Sequence, residues 1–370
     1  MISMRRSCLL HALASLVVLA SLATTSAAQS RRVGGEALDR EIVTTTRPLG
    51  GQQAETVKAF ATDQLDGLES EDLRRILGAR DVIIQNTRRP GVTGVFLRAF
   101  SDDLVPGIRS ILEAKKDGDE FNAIRAENAL RILAYLRTPD AAELLVSQCS
   151  GTSVSDTGRR LVAAGLVPVA VEAVPQSGLN SGTLTSLARE VSSCLEGEND
   201  WLVALEDLRA MNAIATSPGL TQQNRAEVRR MQFDAYEALA TRIDSGSTPN
   251  DLVKAIYRAM LGLRDRLLDD DVAGDVSNQQ IARTLRSMIQ KIGDASVRQW
   301  AGLQKDQKAY IAYEGTLRIG AQLLSLLEGR PDEKVNALAQ PMTNALQDRP
   351  DGPGRDKALD QLKSALARLG

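Results

Sequence analysis

The side chains able to do acid–base, nucleophilic or metal chemistry are few in kind and carry little pattern. One histidine, His11, occurs in 370 residues. It lies in an N-terminal stretch with the marks of a removable leader, so the processed chain is expected to have no imidazole base or ligand. Nucleophilic catalysis then falls to a Ser–Lys pair, an activated cysteine or paired carboxylates. No serine stands in a nucleophile elbow or a Ser-x-x-Lys context. With 47 Asp and Glu, any fold meets the two-acid requirement of a glycosidase, and that requirement discriminates nothing. No catalytic residue is assigned.

The densest acidic cluster is Asp269-Asp270-Asp271 with Asp275, around Gly274. A calcium loop needs oxygens at alternating early positions and a closing Glu, where Ala273 and Gln280 stand instead, so a solvated loop is expected. Asp117-Gly118-Asp119 reads as a turn. Phosphate-cradling glycines, paired CxxC ligands and dinucleotide fingerprints are absent, and neither metal nor cofactor is expected. Cys149 and Cys194 lie 45 residues apart, about one helical hairpin, which would put them on stacked neighbours. In an oxidising compartment they are candidates for a disulfide, whose loop is worth about 4 kcal/mol; the alternative is two buried free thiols. Trp300, Tyr310 and Tyr313, near Lys305 and Lys308, form the densest aromatic group. They are candidate binding residues if exposed and core residues otherwise.

The address comes from the leader. Arg5 and Arg6, the apolar run 9–23 and Ser26-Ala27-Ala28 predict export and cleavage after Ala28. Cys8 precedes the apolar run and cannot serve as a lipoprotein acceptor. No later run is long enough to span a bilayer, so a secreted or periplasmic product without a transmembrane span is expected. Without Arg5 and Arg6 the 45 basic residues fall to 43 against 47 acids, a net charge of −4. With a sequence pI near 5.8 and dispersed cations, nucleic acid is not an expected partner.

The elements that must position these residues are helical. Apolar residues recur at helical spacing from Val57 onward, and sustained strand-like alternation does not occur. Starts are predicted at Ser70, Thr138-Pro139-Asp140, Asn199-Asp200, Thr221, Thr248-Pro249-Asn250-Asp251 and Ser277-Asn278. Ends are predicted near Gly78, Gly118, Gly197, Gly246, Gly293 and Gly329, with an internal position as the alternative for Gly78. Leu166–Val174 is the most strand-like piece and is read as a short helix after a turn. Val105-Pro106-Gly107 is expected to interrupt a helix. Ala295–Leu327 is expected to be the longest helix, with Gly315 and Gly320 permitting close helix contact. Twelve to fourteen helices are expected, in an all-α fold of antiparallel hairpins stacked as an irregular α-solenoid, or alternatively a large helical bundle. The domains are a signal peptide (1–28), an irregular lead-in (29–53), a helical-repeat body (54–347), and a linker with a capping helix (348–370).

Three similar turns, at Asp140, Asp251 and Asp332, suggest a period near 40, and Asp156-x-x-x-Arg160-x-x-Ala163 is echoed by Asp294-x-x-x-Arg298-x-x-Ala301. Through residues 123–166, with Arg125-Ala126, Ala129-Leu130, Leu133, the Thr138-Pro139 turn and Asp156 to Leu166, the chain resembles HEAT and armadillo-like helical repeats. The resemblance implies an extended surface for a partner. The expected function is therefore an exported, non-enzymatic interaction or envelope scaffold with a protein or cell-envelope partner; alternatives are a secreted hydrolase using paired carboxylates and a small-molecule carrier.

Overall fold

Short polar side chains start the helices by accepting backbone N–H groups that the first turn leaves unpaired. In the computed structural model, which describes residues 37–114, 120–172, 178–246, 249, 251–269, 276–347 and 352–369, Asp72 accepts from the Arg74 N–H at 2.8 Å and Asp200 from Leu202 at 2.8 Å. Thr221 caps Asn224 at 3.3 Å, and Asp332 caps Lys334 at 3.0 Å. Pro139 takes the first position of its helix after Thr138.

Sixteen α-helices occur among the described residues, with no strand. They are α1 (Arg40–Val43), α2 (Gln52–Leu68), α3 (Leu73–Thr87), α4 (Gly94–Glu113), α5 (Asn122–Leu136), α6 (Pro139–Ser147), α7 (Thr157–Ala170) and α8 (Ser181–Gly197). There follow α9 (Trp201–Ala215), α10 (Gln222–Asp244), α11 (Leu252–Asp269), α12 (Val276–Arg298), α13 (Trp300–Leu303), α14 (Gln307–Glu328), α15 (Glu333–Asn344) and α16 (Pro353–Leu369). The two helices of four residues, α1 and α13, are too short for periodicity to reveal; without them the number matches the expected upper bound of fourteen.

The packing order makes two layers. Helices α2, α4, α6, α8, α10 and α12 pack successively in one, and α3, α5, α7, α9, α11 and α14 in the other. The pairs α2/α3, α4/α5, α6/α7, α8/α9, α10/α11 and α12/α14 close as hairpins between the layers. First-layer helices begin at 52, 94, 139, 181, 222 and 276, intervals of 42, 45, 42, 41 and 54. At the C-terminal end α15 and α16 pack on each other, and α16 also covers α12 with Ala358, Leu362 and Ala365 buried. Within the expected lead-in, Leu38, Ile42 and Val43 are buried, and the Thr93 N–H and hydroxyl donate to the Val43 and Thr45 carbonyls.

Leu, Ala, Val and Ile dominate two apolar clusters, one gathered from residues 38–228 and the other from 195–365. Helix α9 feeds both: Ala204, Leu205 and Leu208 join the second, Ala210, Met211 and Ile214 the first. Gly315 and Gly320 do permit close contact. A Cβ on Gly315 would fall 2.3 Å from Tyr257 Cε2, and one on Gly320 2.8 Å from Ile289 Cγ1.

Several local expectations are corrected. Helix α4 runs through Pro106, whose exposed side leaves the freed Asp102 carbonyl to water. Leu166 to Ala170 is the last part of α7, with Pro168 inside the helix, rather than a separate element after a turn. The run 295–327 is three pieces: α12 ends at Arg298, α13 follows, and Asp306 caps α14. The longest helices are α10 and α12, 23 residues each. Gly78 lies inside α3 and Gly293 inside α12, where the missing side chain of Gly293 admits Leu366 of α16; Gly118 is outside the described residues. The three look-alike turns open α6, α11 and α15, which occupy unlike places in the stack; Thr248 and Asn250 lie outside the described residues. Asp156 caps α7 through the Arg159 N–H, whereas Asp294 is mid-helix, so the Asp/Arg echo joins non-equivalent positions.

Candidate functional site

Four successive second-layer helices build an open groove of about 710 Å³. Helix α3 supplies Arg80, Asp81 and Ile84, and α5 supplies Arg131 and Tyr135. Helix α7 gives Leu161, Val162, Gly165 and Leu166, and α9 gives Leu202 and Glu206. Most of these residues stand four apart on their helix, and such pairs project from one face, so each helix turns the same side outward. Their neighbours Ile83, Leu133, Ala164 and Leu205 point into the core. Leu202 is 40% exposed, one of few large apolar side chains so placed among the described residues.

The groove's charges are paired. Arg80 Nη2 lies 2.6 Å from Asp81 Oδ1 and its Nη1 donates to Asn128 Oδ1 at 2.9 Å, tying α3 to α5. Arg131 pairs with Glu127, and Glu206 with Arg209. Two cations flank Tyr135: Arg88 lies 5.5 Å and Arg137 6.0 Å from its ring centre. Arg137 has φ of 54°, the one non-glycine residue with positive φ among the described residues, and is held there by Glu172. At the far end Trp201 is faced by Lys254 and Arg258, 6.0 and 5.1 Å from its ring. Such aromatic–cation pairs supply rigid apolar area with a polar edge.

Behind this face lies a buried polar cluster. Arg160 of α7 donates to Glu198 through Nε at 2.9 Å and through Nη2 at 3.3 Å, and its Nη1 donates to the Val154 carbonyl at 2.8 Å. Asp207 of α9 is fully buried, and neither carboxylate oxygen has a hydrogen-bond partner among the described residues. Burial first, then Cys194 and Glu198, push its carboxyl well above the ordinary carboxylate range, while Arg160 opposes them. Cys149, in the turn after α6, and Cys194 of α8 are free and buried. A hydrogen bond with Cys194, then burial and the charge of Asp207, push the Cys149 thiol up. Cys149 thus follows the end of α6 while Cys194 lies within α8, and the sulfurs are unbonded.

The predicted aromatic group belongs to the interior. Trp300, Tyr310 and Tyr313 are all buried. Trp300 meets Tyr310 edge-on at 5.8 Å, the Tyr310 hydroxyl donates to the Met342 carbonyl at 3.1 Å, and that of Tyr313 to Gln299 Oε1 at 2.6 Å. Arg355 covers the Tyr310 ring at 3.8 Å. The exposure a binding role required is not present, because the break between α12 and α14 folds Trp300 back onto Tyr310. Of the acidic cluster, Asp270, Asp271 and Asp275 lie outside the described residues. Among the described residues no group of His, Cys, Asp or Glu could hold a metal, and no helix is long and apolar enough to cross a membrane.

The groove residues were not singled out from sequence. A signal was available in Arg131, Tyr135 and Arg137, an aromatic between cations on one helix, but their convergence with α3, α7 and α9 arises only from packing. Comparison of the chain with protein-family models, with curated proteins and with solved structures finds no match.

Proposed function

We propose that this protein is an exported, non-enzymatic scaffold of stacked helical repeats, similar to HEAT and armadillo repeats, that binds a protein or cell-envelope partner along the α3–α5–α7–α9 groove. The observation that carries this reading is that four consecutive second-layer helices turn outward-facing side chains onto one continuous open surface. The spacing of about 42 residues between the first four hairpins supports the repeat. Tyr135 and Trp201, each beside two cations, are the residue types that anchor interfaces, and the exposed Leu202 adds apolar area next to Trp201. The strained backbone of Arg137 beside Tyr135 is of the kind retained at binding sites. Export by the leader 1–28 belongs to the same reading.

A photo-crosslinking residue at position 202, with one at Ile311 on α14 as control, tests it in the exported fraction. The expected result is one cross-linked partner from 202, absent from 311 and lost on Tyr135→Ala. No partner, together with turnover of a polysaccharide or peptide that Asp81→Asn or Glu206→Gln abolishes, would instead make the protein a hydrolase using paired carboxylates.

A further inference from the structure

Cys149 and Cys194 sit where first-layer elements α6 and α8 pack side by side. The two residues are 0% and 4% exposed and belong to one apolar cluster, and Cys194 is foremost among the groups that push the Cys149 thiol up. The remaining cysteine, Cys8, is outside the described residues and inside the expected leader, so in a processed chain no third thiol competes. Asp207 faces them from the opposite layer with both oxygens unpartnered, which leaves the thiols as its neighbours rather than a guanidinium fork.

We propose that Cys149 and Cys194 are a site of covalent redox modification, closed to a disulfide by a small disulfide oxidant of the oxidised-glutathione class. The Cys194 thiolate, the less buried of the two, attacks one sulfur of the oxidant; that S–S bond breaks, and the first leaving thiolate takes up the proton that Cys194 lost. The Cys149 thiolate then attacks the Cys194 sulfur of the mixed disulfide and expels the second thiolate, which takes up the Cys149 proton. The two cysteines lose two electrons and two protons, and the oxidant becomes two thiols. The new bond joins the turn after α6 to α8 and encloses α7, which forms part of the groove floor. This inference stands independently of the partner-binding reading.

Thiolate formation sets the rate of such exchange, and charged groups around Cys149 oppose ionisation of its thiol. These are Asp207 of α9 and Glu190 of α8; behind Asp207 lie Arg160 of α7, Glu198 and Glu206, and beside Glu190 lies Glu143 of α6. Burial keeps the site closed to bulky reagents, so exchange proceeds through local opening of α6–α7.

The test uses the full chain, purified reduced and then incubated with oxidised glutathione across neutral to alkaline pH, followed by maleimide labelling in denaturant and peptide mapping. The expected product is a peptide pair joined through Cys149 and Cys194, lighter by two hydrogen atoms than the reduced pair, with a higher urea midpoint for the oxidised protein. Cys149→Ser should trap glutathione on Cys194. Asp207→Asn, by removing a negative neighbour, should shift the pH profile of closure to lower pH. Recovery of both thiols as maleimide adducts at every pH, or stable glutathione adducts on both cysteines without a cross-link, would overturn the proposal; so would an unchanged pH profile in folded Asp207→Asn, for the part assigned to that residue.

Discussion

Arg160 of α7 and Glu198, just beyond α8, meet in a two-pronged ion pair from which water is almost entirely excluded, with Nε 2.9 Å from Oε2. The pair fixes more than itself. Glu198 Oε1 also accepts the Asn199 and Asp200 N–H groups at 2.8 and 2.7 Å, and Arg242 of α10 donates to the Leu195 carbonyl at 2.8 Å and the Glu198 carbonyl at 2.9 Å. The α8–α9 connection is thus tied to the hairpins on either side. Removing one partner strands a buried charge, so Arg160→Met is expected to cost about 3–5 kcal/mol, and the double replacement Arg160→Met/Glu198→Gln distinctly less than the sum of the singles. Urea denaturation of the four proteins of the cycle measures both.

Asp207 links stability to pH. Its folded carboxyl binds a proton more tightly than the exposed aspartate of the unfolded chain, which titrates near about 3.9. The folded state therefore holds the extra proton, and this contribution is complete below that value and is lost as pH rises through the raised folded value. Asp207→Asn removes the linkage. The variant should gain stability relative to the parent as pH rises from 4 toward 9, a trend that thermal melts across that range read directly; a constant difference would refute it.

Gly315 is a contact glycine. An added Cβ would sit 2.3, 2.6 and 2.8 Å from three atoms of the Tyr257 ring, so α11 and α14 must separate or the ring must leave its place. Gly315→Ala should cost about 1–3 kcal/mol by overpacking. Exposed Gly302, with nothing within 4 Å of its Cβ direction, is the control, and its alanine variant should be neutral or up to about 1 kcal/mol more stable. Denaturation midpoints distinguish the two.

Tyr135 is half-exposed and bridges no core cluster. Tyr135→Ala should leave the melting temperature within a few degrees of the parent while weakening binding of the cross-linked partner at least about tenfold by calorimetry. A large loss of stability would make Tyr135 a packing residue instead.

The helices were legible because each carries both a period and a cap. Asp200, Thr221 and Asp332 start helices as their sequence context implies, and Leu205, Leu208 and Met211 turn inward as their spacing requires. What was misread depended on tertiary choice. Asp294 looks like a helix start until α12 is seen to continue past it, and Pro106 looks like a break until its exposed position is known. Trp300 and Tyr310, flanked by lysines, left a binding patch and a core role both open, and the core role holds because Asp306 restarts the chain and folds one ring against the other. The groove was the least legible part: Arg80, Tyr135, Leu166 and Leu202 are each ordinary surface residues, and only the stacking of alternate helices brings them together.

That stacking order governs how the molecule bears load. The principal packing partners of every helix lie within four places of it along the chain, so tension between the two ends passes through the hairpins in series, as through the coils of a spring. Small rotations at each seam add to a large extension while the hydrogen bonds within every helix remain intact. A pulling experiment on the whole chain should therefore show the hairpins yielding one after another rather than all together.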